Sequence, residues 1–175
     1  MTDRGRTRAR ELFLFVTALW CGALLFFAAA GARIVLNTAG SRHVGGLVNR
    51  ALLDALDLAS FGAIAFLALL LWLARGGEGP VPTGWAVRLL VIGAAGAFAS
   101  LLVITPEMVA LRDRMPVAID LLEKSHPLRQ AWGRLHGMST LALLLRILAS
   151  AGLFFLAVPR PRPRWAAARP DEERG

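Results

Sequence analysis

The sequence predicts an all-α integral membrane protein, an antiparallel four-helix bundle whose helices extend past the outer face. Three observations predict it. Hydrophobic residues make up 56% of the 175 and charged residues only 18%, where a soluble globule carries about a quarter charged. Mean hydropathy is +0.56. The apolar residues gather in four runs, each close to the roughly 20 residues that a helix rising about 1.5 Å per residue needs to cross ~30 Å of hydrocarbon.

The elements follow in order. Residues 1–11 form a basic N-terminal tail carrying Arg4, Arg6, Arg8 and Arg10. The first span, about 12–36, is anchored on the 21 uncharged residues from Leu12 to Ala32. A basic stretch before it and Ala30-Gly31-Ala32 within it also fit a cleavable signal peptide, but the apolar region exceeds the roughly 7–15 residues of such signals and three more runs follow, which favours an uncleaved anchor. A lipoprotein reading of Cys21 fails on the bulky Trp20 before it, and a lone cysteine excludes an internal disulfide framework and a cysteine-based metal site.

The second run, Leu58 to Ala74, holds only 17 uncharged residues. The span is therefore placed at about 51–74, with Asp54 and Asp57 at its entrance. The third, 86–106, ends in Thr105-Pro106. The fourth, 137–158, contains Arg146. Between spans two and three, Arg75 to Gly84 is rich in Gly and Pro and reads as a short turn. It lacks the Gly-Lys-Ser/Thr ending of a phosphate loop. Residues 107–136 read as a helical outer loop: Glu107, Leu111 and Arg114 continue one face of span three, a short helix is expected near Val117 to Lys124, and Pro127 opens a helix into span four. Residues 159–175, rich in Arg and Pro, read as a disordered cytoplasmic tail.

The net charge of +8 lies between and beyond the apolar runs, which fits a lipid bilayer as partner better than nucleic acid. Lys and Arg total 11 on the side of the tails and the Arg75 to Arg88 loop against 8 on the other, with Arg146 set aside. The positive-inside rule then puts both termini in the cytoplasm of a bacterial inner-membrane protein. Trp72, Trp85 and Trp165 at the inner span ends agree, because indoles favour the interface.

The charges within spans carry the functional expectation. Measured from the cytoplasmic ends at about 1.5 Å per residue, Arg33, Asp54 and Glu107 fall near 30 Å, Asp57 near 25 Å and Arg146 near 18 Å. Arg146 has the reach to meet Asp57. The helical period aligns Gly22, Phe26, Ala29 and Arg33; Arg50, Asp54, Asp57 and Phe61; Gly93, Gly96, Ser100 and Glu107; and His136, Ser139, Leu143, Arg146 and Ser150. Four such stripes are expected to face a common interior. Two readings fit them equally: an outward-facing polar pocket built from Arg33, Asp54, Asp57, Glu107, His136, Ser139 and Arg146, or an ion-pair clasp that fixes helix register, with Arg50 and Asp54 satisfying each other at i, i+4.

No hydrolase, zincin or nucleotide motif is present, so no enzyme activity, cofactor or metal is expected. His43, His126 and His136 share no ligand spacing. His136 with Met108, Met115 and Met138 could hold copper, or His136 a haem, which keeps a redox or metal-handling alternative open. Gly133 and Gly137 match Gly-x-x-x-Gly.

Several of these residues resemble the transmembrane protein 205-like domain family, small four-span proteins of undefined molecular role. The resemblance runs through Leu19 to Phe27, Ala39-Gly40 leading to Leu47 to Leu53, Thr105-Pro106 with Leu111-Arg112, and above all Trp132 to Ser139, whose Leu-His-x-x-Ser element is the most specific. It covers about 12–158 and implies a four-helix membrane bundle with Pro106, Arg112, His136 and Ser139 as family-type positions. Association of eukaryotic relatives with drug resistance and trafficking implies transport or export support. Four spans are few for a complete transporter, so a homo-oligomer or larger membrane complex is expected, as is an accessory role if no ligand binds.

Overall fold

The computed structural model describes residues 3–74, 81–117 and 119–159. All regular elements among them are helical. In chain order they are α1 (Asp3–Phe26), a π-helical turn (Phe27–Gly31), α2 (Ala32–Thr38), α3 (Arg42–Leu73), α4 (Thr83–Phe98), a second π segment (Ala99–Ile104), α5 (Thr105–Asp113), a 3-10 turn (Ile119–Leu121) and α6 (Pro127–Ala157). Several run on into one another. The result is four helices long and apolar enough to cross a membrane: Thr7–Thr38, Val44–Leu73, Thr83–Asp113 and Pro127–Ala157.

The breaks between these rods follow from local chemistry. Gly40, at φ 66°, reverses the chain after α2, a conformation that L side chains rarely adopt. Ser41 then caps α3 by accepting a hydrogen bond from the Val44 N–H at 3.2 Å. Gly45 lets the two helices close on each other, since a Cβ there would lie 3.1 Å from a Leu36 methyl. In the third rod, Pro106 sits in the first turn of α5 and has no N–H for the carbonyl four residues back, and the ladder widens into the π segment just before it. Pro127 occupies the first turn of α6, with His126 Nδ1 accepting from the Leu128 N–H at 3.2 Å as its cap.

Cross-helix contacts fix the levels. Arg10 Nε donates to the Ala157 carbonyl at 2.7 Å, which brings the start of the first rod to the end of the fourth. This is the terminal end of the bundle, and the opposite end is the distal one. Phe61 and Phe98 pack edge to face at 4.7 Å, and the core runs through Phe13, Leu24, Leu67, Leu71, Leu90 and Leu153. Only 22 to 33% of each rod's most apolar window is buried inside the protein, so most of the apolar surface faces outward.

Three sequence expectations change. The second rod starts at Arg42, nine residues before the expected 51, because the uncharged stretch marks only its most apolar part. Rods three and four extend as helix through much of 107–136, and among the described residues the connection between them holds the 3-10 turn Ile119–Leu121 where a short helix near Val117 to Lys124 was expected. On the first rod, Gly22, Phe26, Ala29 and Arg33 face outward; Phe13, Thr17, Trp20, Leu24, Phe27 and Gly31 are buried in their place. Small residues mark close approach only where a partner helix arrives, and Gly22 has nothing within reach of a Cβ. Trp72 and Trp85 are exposed near the terminal end, while Trp165 and most of the 159–175 tail lie outside the described residues.

Candidate functional site

Every buried polar side chain among the described residues falls in one belt across the interior. The first rod gives Thr17, the second Asp57 and Ser60, the third Ser100 and the fourth Arg146 and Ser150. Asp57 and Arg146 are fully buried and joined by a hydrogen-bonded ion pair from Arg146 Nη1 to Asp57 Oδ1. The arginine reaches its partner because Gly96 leaves room for it: a Cβ at that glycine would lie 3.1 Å from Arg146 Cγ and 2.9 Å from the Ala142 carbonyl oxygen. Ser100, carried on the π segment, is buried in the same interior. An unpaired charge in hydrocarbon costs about 2.5 to 3.5 kcal/mol on insertion scales. The pairing offsets much of that, although Asp57 Oδ2 and Arg146 Nε and Nη2 have no hydrogen-bond partner among the described residues.

One turn toward the terminal end the same belt is closed by Trp20. Its indole Nε1 donates to Ser60 Oγ at 3.0 Å, and Ser60 in turn donates to the Leu56 carbonyl at 2.7 Å. The far edge of the indole fills the notch at Gly93, where a Cβ would meet it at 2.9 Å. Thr17 satisfies itself on the Phe13 carbonyl at 2.8 Å. The two best-formed crevices among the described residues are lined by neither Asp57 nor Arg146.

A second polar locus lies at the distal end, between α5 and the start of α6. It is a crevice of about 280 Å³ with an apolar floor of Ala110, Leu111, Ala131 and Leu135 and three ionisable residues on its rim, Glu107, Arg114 and Arg134. All three are exposed. None makes an ion pair within the described residues. Beside it, Arg112 stacks over the Trp132 ring at 5.4 Å and approaches Gly46, tying rods two, three and four together.

The expected pocket is thus divided. Asp57 and Arg146 meet. Asp54 pairs weakly with Arg50 at 3.7 Å, both side chains being about 40% exposed. Glu107 belongs to the distal crevice. Arg33 and His136 are exposed and Ser139 half-buried, and none of these three lines the crevice or touches the ion pair. Of the family-type positions, Pro106 opens α5, Arg112 makes the stacking contact, and His136 accepts from Thr140 through its carbonyl at 2.9 Å. His136 and Met138 occupy exposed positions, and among the described residues no group of three or more His, Cys, Asp and Glu side chains converges.

Sequence reasoning missed the Trp20–Ser60 bond and Arg134. The first was legible in part, because Phe13, Thr17, Trp20, Leu24 and Phe27 recur at i, i+4, i+7, i+11 and i+14, a longer stripe than the one chosen. The pairing of Arg134 with the α5 face depends on how two helices cross, which periodicity does not encode. No protein-family model, curated protein or solved structure matches the chain.

Proposed function

We propose that the chain is a four-span protein of the bacterial inner membrane, an antiparallel bundle with both termini in the cytoplasm, that binds or helps to move a small solute or ion at its outer end. The distal crevice is then periplasmic. The observation that carries this reading is the rim of Glu107, Arg114 and Arg134: charges of both signs, unpaired among the described residues, around an apolar floor. Fixed unpaired charges over apolar surface are the usual make-up of a site that orients a polar ligand. Placement with the transmembrane protein 205-like domain family belongs to the same proposal and rests on the Leu135-His136-x-x-Ser139 element.

The ion pair has a different part in this reading. Sealed between helices, Asp57 and Arg146 hold the bundle together beneath the site and do not touch the ligand. The same burial favours a second reading, a structural or accessory subunit without a ligand, because a fully buried pair offers a ligand no access. The two readings separate in a thermal-melting screen of purified protein against small phosphates, carboxylates and amines. Ligand binding requires that at least one compound raise the melting temperature of the wild type and fail to do so for Arg134→Gln; a flat response across the panel favours the accessory role.

A further inference from the structure

The distal crevice has the chemistry of a zwitterion receptor. Glu107 stands in the first turn of α5 and Arg114 caps its C-terminal end, seven residues and about 10 Å further along the axis. Arg134 faces them from α6, and all three border the same apolar floor. Two guanidinium groups on one ligand favour phosphate, which they bind through paired N–H donors. A carboxylate on the same rim repels a simple anion and favours a ligand that carries a cation beside its phosphate.

The surface leading away from the crevice says what else the ligand carries. Met138, Leu141 and Leu145 lie four, seven and eleven residues after Arg134, on the same face of α6, and all three are exposed. Val103, four residues before Glu107, is exposed as well. A polar head held at the crevice therefore continues along an apolar track toward the middle of the bundle, where an acyl chain would lie.

We infer that the crevice is a binding site for a phospholipid with a phosphoethanolamine headgroup, its phosphate between Arg114 and Arg134, its ammonium at Glu107 and its chains along Val103 and the Met138, Leu141 and Leu145 track. This deepens the proposed function and rests on the crevice being the ligand site. Glu107 is the selectivity element: its carboxylate accepts charge-assisted bonds from a primary ammonium, meets only neutral hydroxyls and an uncompensated negative charge on a glycerol-headed lipid, and finds no N–H on a choline head.

The test measures retention of dioleoyl phosphatidylethanolamine, phosphatidylglycerol and phosphatidylcholine, offered at equal mole fraction to detergent-purified protein and read by native mass spectrometry, with soluble O-phosphoethanolamine as a fourth arm. The wild type is expected to retain the ethanolamine lipid over the other two. A charge-assisted hydrogen bond contributes about 1.5 to 3 kcal/mol, so the Arg114→Gln/Arg134→Gln variant is expected to lose retention by about tenfold or more. Glu107→Gln is expected to keep the lipid but lose the preference over phosphatidylglycerol. Equal retention of all three lipids by the wild type overturns the inference without recourse to any variant. Binding of O-phosphoethanolamine as tight as that of the lipid overturns the lipid assignment and leaves the solute-site reading standing; binding of neither lipid nor any small compound ends both. The three positions are exposed, and melting curves of the variants report whether the fold is kept.

Discussion

Trp20 donates its indole N–H to the Ser60 hydroxyl at 3.0 Å, across two helices whose residues are forty apart in sequence. The bond lets a large aromatic residue sit fully inside the bundle with its polar atom satisfied, and it fixes the first rod in rotation. Trp20→Phe is expected to lose more than the net value of one hydrogen bond, about 0.5 to 1.5 kcal/mol, because the ring edge that fills the Gly93 notch goes with the N–H, while Ser60 keeps its bond to the Leu56 carbonyl. Ser60→Ala strands the indole N–H and is expected to cost about 1 to 3 kcal/mol. Unfolding titrations of both and of the double variant in mixed micelles check this; a double variant equal to the sum of the singles means the two residues do not interact.

The glycines give a graded prediction. Gly93→Ala drives a methyl into the Trp20 ring, and Gly96→Ala drives one into the Ala142 carbonyl. Both are expected to destabilise by about 1 to 3 kcal/mol, as overpacking does. Gly22→Ala meets nothing within 4 Å and is expected to leave the melting temperature unchanged or raised. A Gly22→Ala variant as unstable as Gly96→Ala would mean that the first rod is turned the other way.

These glycines also show how far the sequence could be read. Gly93 and Gly96 align with Ser100 and Glu107 on one face by helical period, and both glycines face the core. The same alignment puts Gly22 with Arg33, which is exposed near the distal end of the rod, whereas the polar residue that marks the inner face is Thr17, on the stripe with Trp20. The existence and approximate place of the four rods were legible because apolar run length is a one-dimensional property. So was the meeting of Asp57 with Arg146, because buried charge has few places to go. The crevice was half legible: Glu107, Leu111 and Arg114 share a face by period, while Arg134 joins them only through the crossing of α5 with α6.

Topology offers an independent check on the membrane reading. In a Cys21→Ser background, cysteines placed at Ser125 in the distal connection and at Pro159 after α6 are expected to react with an impermeant maleimide from opposite sides of the membrane. Labelling of both from one side would contradict a four-span arrangement.

The Arg112 stack on Trp132 predicts a smaller effect at the distal end. Such contacts are worth about 0.5 to 1 kcal/mol when exposed and about 2 when desolvated. Trp132→Leu is expected to lower stability within that range while leaving the Asp57–Arg146 region unchanged, which hydrogen exchange of α5 against that of α3 would reveal: faster opening in α5 alone agrees, and equal loosening of both helices does not.

The measurement that bears most directly on the central claim is the stability cycle at the buried pair. Asp57→Leu and Arg146→Leu each leave a charge without its partner at a fully buried position, and each is expected to destabilise the protein by about 3 to 5 kcal/mol. With both replaced, no buried charge is left and stability is expected to return to near that of the wild type, since apolar replacement of a whole buried pair is often neutral or stabilising. Two neutral single variants, or a double variant as damaged as the sum of the two, would show that the charges do not hold the helices together.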